Sequence, residues 1–582
     1  MAIKSKNSQL SAKLLQSVIG GCGLPLAIGL IVRLIGINFG LPYATGARPD
    51  ELVIIRHTLP FGTGDLNPHF FHYPSFFLYF SFLIFGIYFL FGLLLGRYHS
   101  PTDFAASVLL DPSPLILIIR LISVFFGTLT VYFIYLLFRD KDKTTGIIAS
   151  ILLSSTYLAV RESHFGTTDT AMVFFGLLAF LFAWRVKDLG KTKDYIISGI
   201  LAGIAASTKY NGAIFLLTLI VAFLLRLKTD HWRKIALGIT SALIAFLFFS
   251  PFILFDFSTF ITQFREETAH LLSGATIELG RGWLNFITIG LRYGIGLPLL
   301  IFSLIAIIWT LLRNFRFAIF LLSFPLVYYL LIGASRAVYV RHILPIVPFL
   351  CIFACLFVKQ LTYRFKGAIR PIILTLTLFI LLSSSIQNII GYLTTITKKD
   401  TRSCAAEWII KNLPPNSTIG WVGSAWSVPN LPLSTSEISA RFNEARIGIA
   451  LPAKIIEAMK TKVGDTGYRI VRFSKELANN DTLRFFNIDQ IKKRNIQYLV
   501  VTSYPGLPFG EVPEEIIALQ KDTANYKLQI QFNPFKKSKI GLGGLILDKQ
   551  DATYLPFANF SGVQRPGPLI SIYQIRTDCR PQ

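Results

Sequence analysis

Asp50 and Glu51 stand side by side in GARPDELVIIRH (46–57), just after LPLAIGLIVRLIGINFG (24–40), a stretch apolar enough to be buried in lipid. Two carboxylates beside a bilayer are costly to keep there. A carboxylate at that boundary can take a proton from an incoming hydroxyl or amine. Isolated cations lie further along: Lys209 in a short turn between apolar blocks, and Arg336 and Arg341 in ASRAVYVR (334–341). A cation held between spans suits a lipid phosphate; alternatively it snorkels to headgroups. Acids and cations on one side of a membrane together point to group transfer from a lipid-phosphate donor.

What must position these residues is a set of membrane helices. Of 582 residues, 53% are hydrophobic and 15% charged, against roughly 25% charge in an average soluble domain. The apolar residues fall in blocks near 14–40, 114–138, 145–160, 171–185, 195–208, 212–226, 235–255, 286–312, 317–334, 342–358 and 371–395. Such blocks match the thickness of a bilayer, and backbone groups in lipid must satisfy one another, so they are read as helices. The formal charge of +25 does not indicate nucleic acid, because the basic residues sit at the ends of apolar blocks. The start is basic (Lys4, Lys6, Lys13), but the apolar run is too long for a cleaved signal peptide and no A-x-A site follows.

Charge sets the expected orientation. RDKDK (139–143), RVKDLGKTK (185–193), RLKTDHWRK (226–234), RNFR (313–316) and KQLTYRFKGAIR (359–370) are expected on the cytoplasmic side, with the N-terminus. The alternation holds if 76–96 does not cross as a single span but lies along or dips into the outer leaflet, as a juxtamembrane helix or helical hairpin. The alternative is that 76–96 crosses and a short pass lies elsewhere. The first solution makes 41–113 one external loop and gives about eleven spans. RESHFGTTD (161–169), the turn KYNG (209–212), the loop 256–283 and ASRAVYVR then also lie outside.

Near 398 the long apolar runs stop. AAEWIIKNLPPNSTIGWVG (405–423) reads as a helix, a Pro-Pro turn and a strand, and NIQYLVVTSY (495–504) and PLISIYQI (568–575) read as strands. The expectation is a membrane domain over 1–397 and a small external α/β domain over 398–582. Cys404 and Cys579 bracket that domain, as a disulfide or as two free thiols; Cys22, Cys351 and Cys355 lie in apolar blocks and read as packing residues.

The external loops hold further candidates. Loop one carries Arg48, Arg56, His57, Asp65, His69 and His72 beside the acid pair; the next carries Arg161, Glu162, His164 and Asp169; later ones carry His270, Glu278, Arg281 and His342. His57, His69 and His72 could hold a divalent metal with Glu51, but their spacing matches no tight ligand pattern, and loop packing explains them as well. Asp169 lines a pocket or caps the helix that follows it.

Taken in order, RPDE (48–51), DLNPHFFHYPSFFLYF (65–80), RLISVFFGTLTVYFIYLLFRD (120–140), RESHFGTTDTAMVFF (161–175), STKYNGAIFL (207–216) and RHILPIVPFL (341–350) resemble the GT-C superfamily of membrane glycosyltransferases. The resembling branch depends on phospholipid carriers and includes protein O-mannosyltransferases and the aminoarabinose transferases that modify lipid A. The likeness runs over roughly 14–360, and the family's first loop carries membrane-parallel helices, which also suits the parity argument.

The resemblance implies an inverting sugar transfer from a polyprenyl-phosphate donor to an acceptor on the outer face. Asp50 is the implied general base, with Glu51 orienting it, holding the acceptor or trading roles. Lys209 and Arg341 are the implied partners of the leaving phosphate, Arg341 having a structural pair with a loop carboxylate as its other reading. His164, Asp169 and Arg48 are implied pocket residues. No metal is implied as essential, members of the superfamily differing on a divalent ion. The implied location is a bacterial inner membrane, with active site and C-terminal domain on the periplasmic side. Pro49 before the acid pair stiffens the loop but does not identify the acceptor, which is protein, lipid or glycan. A transporter or flippase is the competing class; against it, the acids lie in loops and no inverted repeat is visible. A receptor or assembly factor leaves Asp50, Glu51 and Lys209 without a task.

Overall fold

The computed structural model describes residues 21–227, 231–274, 277–443, 452–464, 466–473, 491, 493–507, 517–518, 521–536, 544–551 and 553–576. Lys4, Lys6, Lys13 and Cys579, with the start of the first apolar block, lie outside the described residues, so the Cys404–Cys579 alternatives do too. Two compact units share the chain. One comprises Met1–Ile37, Asp65–Ser81 and Ile119–Ile390; the other comprises Asn38–Gly64, Phe82–Ile118 and Gly391–Gln582.

The apolar blocks become helices. Among the described residues, six helices are long and apolar enough to cross a membrane: Phe76–Leu94, Ser113–Arg139, Thr168–Leu189, Trp232–Phe249, Val340–Tyr363 and the stretch Ile369–Asn412. Two bent pairs raise the number to eight if each makes one span: Gly282–Gly294 with Leu297–Arg313, bent by 116°, and Phe315–Leu322 with Pro325–Gly333, bent by 44°. Both bends have local causes. Gly296, at φ 89°, takes a conformation that other residues resist, and a Pro opens the following helix in each case. Gly23–Leu34, Lys143–Ser154 and Tyr210–Leu224 are apolar but shorter. Hydropathy blocks therefore locate helices well and count spans less well, because several are broken or short.

The stretch 76–96, expected as a juxtamembrane helix or a hairpin, is one continuous helix, Phe76–Leu94. A hairpin is excluded. The helix has the length and apolarity of a span.

In the first unit, helix Thr192–Thr208 packs on helix Trp232–Phe249 through small residues. A Cβ on Gly199 would stand 2.0 Å from the Gly238 carbonyl oxygen, and one on Gly203 2.2 Å from the Ala242 carbonyl oxygen. Glycines four apart let the two backbones touch, the usual means of helix association in lipid. Gly199→Leu is expected to push the helices apart and cost about 1–3 kcal/mol or more, as overpacking does; a lowered unfolding midpoint of the solubilised protein checks it, against Leu201→Ala as a control.

The second unit is built on a five-stranded sheet. β1 is Thr418–Val422, β2 Arg469–Phe473, β3 Tyr498–Ser503 and β4 Tyr526–Phe532; β5 (Ile546–Leu547) and β6 (Pro556–Ala558) form a separate ribbon, and β7 is Leu569–Ile575. The order is β2-β1-β3-β7-β4, parallel between β2, β1 and β3 and antiparallel between β3, β7 and β4. Both faces are covered, so the central strands are apolar on both sides. Ala405, Ala406 and Ile409 of helix Thr401–Asn412 pack with Trp421, Val500 and Ile572 on one face; Leu499, Val501 and Phe473 belong to the other cluster. Asp400 caps that helix, its side chain accepting from the Arg402 backbone N–H.

First-loop segments share this unit. Helix Pro101–Leu110 packs Ala106 with Leu433, Ile456 and Met459, and Asp103 pairs with Lys462 at 2.5 Å. Tyr43 packs on the sheet cluster, its carbonyl accepting from the Asn430 N–H at 2.6 Å.

Candidate active site

Each unit carries part of the predicted site. In the second unit, Pro49–Thr58 is a helix with Pro49 in its first turn, where a missing N–H costs nothing. Asp50 and Glu51 therefore occupy that same first turn, where the helix dipole favours acids. The two carboxylates have different surroundings. Glu51 is fully buried, whereas the Asp50 side chain is 23% exposed. Arg48, fully buried just before the helix, turns one guanidinium nitrogen to each of two acids: Nη2 lies 3.2 Å from Asp50 Oδ2, and Nη1 donates to Asp551 Oδ2. Residue types at 48–51 thus make a local cation–acid unit, anchored by an acid from far along the chain.

In the first unit, the helix Thr192–Thr208 stops at Lys209, whose backbone is extended (φ −155°, ψ 132°), and the chain resumes as the 3₁₀ turn Tyr210–Phe215. This break turns the Lys209 ammonium inward, and its Nζ donates to Asp169 Oδ1 at 2.7 Å. Asp169 is buried in the first turn of helix Thr168–Leu189. It does not cap that helix: Thr167 holds the N-cap position, and the Asp169 side chain is turned to Lys209. Arg341, at the start of the helical stretch Val340–Ile346, lies close enough for its charge to act on Asp169, and His342 follows it. The Arg341 guanidinium also stacks on Tyr339, 4.5 Å from the ring centroid. Tyr328 donates to the His342 carbonyl at 2.9 Å, and Asn211 donates to the Tyr328 hydroxyl at 3.1 Å, bracing both segments. Two permanent cations thus converge on one buried carboxylate, and both are groups that bind anions well.

His164 lies inside the first unit, fully buried, its Nδ1 2.9 Å from the Val160 carbonyl and its Nε2 2.9 Å from the Ile35 carbonyl. Burial pushes it down to about 4, aided by the nearby charges of Arg33 and Arg120 and opposed by the two carbonyls. The folded state thus favours the neutral ring. Stability from this residue is present above the unfolded value near 6.5 and is lost as pH falls through about 4. The expected size is about 3 kcal/mol, read as the part of the acid destabilisation that disappears in His164→Gln.

Other candidates fall elsewhere. Arg336 is half exposed and 3.8 Å from Glu278, a weak surface pair. His69 contacts Asp65 at 2.9 Å and Asp256 at 3.7 Å; His72 contacts Glu267 at 3.4 Å and Glu266 at 3.8 Å. Among the described residues no three His, Cys, Asp or Glu side chains are grouped to hold a metal. Sequence reasoning passed over Arg33, Arg120 and Asp551. The first two had a signal, a charged residue inside an apolar block; Arg33 Nε donates to Ser163 Oγ at 3.0 Å and Arg120 Nη1 to the Ile37 carbonyl at 3.0 Å. Asp551 had none.

Residues 113–255, which include His164, Asp169 and Lys209, match the family model described as dolichyl-phosphate-mannose-protein mannosyltransferase. No curated protein matches the chain. Among solved structures, ArnT from Cupriavidus metallidurans bound to undecaprenyl phosphate aligns at 14% identity and a TM-score of 0.51, over 96% of this chain and 99% of that one. Its apo form aligns at 13% and 0.52, over 97% and 100%. The oligosaccharyltransferase AglB from Archaeoglobus fulgidus, in complex with an inhibitory peptide and a dolichol-phosphate, gives 11% and 0.45, over 95% and 88%. The chain thus has the fold of the ArnT structures along nearly all its length, residues 113–255 around Asp169 and Lys209 match a mannosyltransferase family model, and its long apolar helices make it an integral membrane protein.

Proposed function

We propose that the protein transfers a sugar from a polyprenyl-phosphate donor to an acceptor on the outer, periplasmic face of a bacterial inner membrane, in one inverting displacement. The acceptor's oxygen or nitrogen attacks C1 of the sugar. Asp50 takes the proton lost by that nucleophile. The C1–O bond to phosphate breaks, its electron pair leaving on the lipid phosphate, and the products are the glycosylated acceptor and the polyprenyl phosphate.

The observation that carries the reading is the pairing of Lys209 with the buried Asp169 at a helix break, with the charge of Arg341 acting on the same carboxylate. Two permanent cations brought together suit a phosphate whose charge grows as the bond breaks, the moment at which such a charge accelerates reaction. Asp50 is favoured over Glu51 as the base because its carboxylate is reachable and Glu51 is not. Lys209 and Arg341 supply the charge that a divalent ion would otherwise bring, so no metal is assigned. The ArnT structure bound to undecaprenyl phosphate supports the choice of carrier class.

The test is release of lipid phosphate by the purified protein in lipid, in the presence of a chelator, from a panel of undecaprenyl- and dolichyl-phosphate sugars. Turnover of at least one donor is expected. Binding without turnover of any donor, with peptide, lipid and glycan acceptors supplied, counts against an enzyme and for a carrier of such lipids.

A further inference from the structure

Arg48 is a buried cation that forms a hydrogen-bonded pair with one acid through Nη1 and an ion pair with another through Nη2. Nη2 faces Asp50 at 3.2 Å, and Nη1 donates to Asp551, a buried residue in the turn after β5 where the Asp551 N–H bonds the Asp548 carbonyl at 3.1 Å. A guanidinium is planar and rigid, so fixing one nitrogen fixes the direction of the other. The backbone beside it is held from the same side. A Cβ on Gly46 would meet the Trp426 carbonyl at 3.4 Å, and that carbonyl accepts from Arg402 Nη1 at 3.0 Å. Arg402 in turn is locked by Asp400 through Nε at 2.9 Å and Nη2 at 2.7 Å.

We infer that Asp551 is a positioning residue for the transfer reaction: through Arg48 it sets the orientation of the Asp50 carboxylate, so that the C-terminal part of the chain is needed for chemistry and not only for acceptor binding. This rests on Asp50 being the base. Asp551, the more deeply buried acid, holds Arg48 from one side, and the other terminal nitrogen of the same plane then faces Asp50. A carboxylate that must meet a hydroxyl proton within hydrogen-bond reach loses rate steeply when displaced by an ångström.

The experiment compares Asp551→Asn, Arg48→Lys, their double variant and Asp50→Asn in the full chain in lipid nanodiscs, with Asp103→Asn, which breaks the Lys462 pair elsewhere in the same unit, as control. Asp551→Asn is expected to lower kcat about 10²-fold with the donor KM unchanged. Arg48→Lys, which keeps the charge and loses the fork, is expected to do the same, and the double variant no worse, because both act through one contact. Amide exchange over 48–58, which needs no donor, is expected to quicken in Asp551→Asn and not in Asp103→Asn. Full kcat in Asp551→Asn while Asp50→Asn is inactive overturns the inference and leaves the base standing. Full kcat in Asp50→Asn overturns the base itself. Unchanged exchange over 48–58, or losses that add in the double variant, also overturns the positioning role.

Discussion

Asp50→Asn is expected to lower transfer by about 10²–10⁴-fold, the usual contribution of a positioned general base, while the fold and donor affinity stay as they are. The amide has the shape of the acid but cannot accept the nucleophile's proton at neutral pH. The fold should hold for a structural reason. Asp50 is the partly exposed partner of Arg48, and Arg48 keeps the buried Asp551 when Asp50 is neutralised. No charge is left buried alone, which is the change that costs 3–5 kcal/mol elsewhere. Glu51→Gln makes the contrast. Glu51 is fully buried in the same helical turn, so its substitution should lower the unfolding midpoint along with activity. Kinetics with the best donor of the panel, beside thermal unfolding of each variant, check both. Equal turnover in wild type and Asp50→Asn would remove Asp50 as the base.

The contrast between these two acids also marks how far the sequence could be read. RPDE announced a carboxylate pair, and a helix opening at Pro49 follows from the residue types. Which acid faces outward depends on packing around residue 51, which the string does not contain. Lys209 stood out because a cation between apolar blocks is expensive. Its partner was less legible: Asp169 begins a helix, so capping competed with a place in the pocket, and the sequence does not show the inward turn of the extended Lys209 that pairs them. Asp551 was illegible, an ordinary loop acid 503 positions from Arg48. In the fold, β1, β3 and β7 were visible as apolar runs beside turn residues. β2 and β4 were not, since RIVRF and YKLQIQF carry charged or polar residues at their exposed positions. Spans are harder to count than helices for a different reason. Hydropathy measures how apolar a stretch is and is blind to a break such as Gly296 or to the difference between a lone 12-residue helix and a full crossing.

Lys209→Met should combine two losses, and separating them is the sharper test of the phosphate site. Removing a cation aimed at a leaving group's charge costs about 10²–10³-fold in rate. It also strips a buried acid of its closest partner: Lys209 Nζ is 2.7 Å from Asp169, whose side chain is only 3% exposed. Breaking a buried pair from one side costs roughly 3–5 kcal/mol, softened here because the charge of Arg341 still acts on Asp169. The single variant is therefore expected to be inactive and less stable, which alone proves little. In Lys209→Met with Asp169→Asn the buried acid is neutralised together with its closest cation, so stability should return toward that of the wild type while turnover stays low. Asp169→Asn alone leaves both cations in place and should hold lipid phosphate at least as tightly as the wild type, because the competing carboxylate is gone. Undecaprenyl phosphate titrated against the four proteins, with unfolding midpoints and donor turnover for each, reads the outcome. If the double variant regains turnover together with stability, the Lys209–Asp169 pair is a structural bridge and the phosphate must be met by other cations.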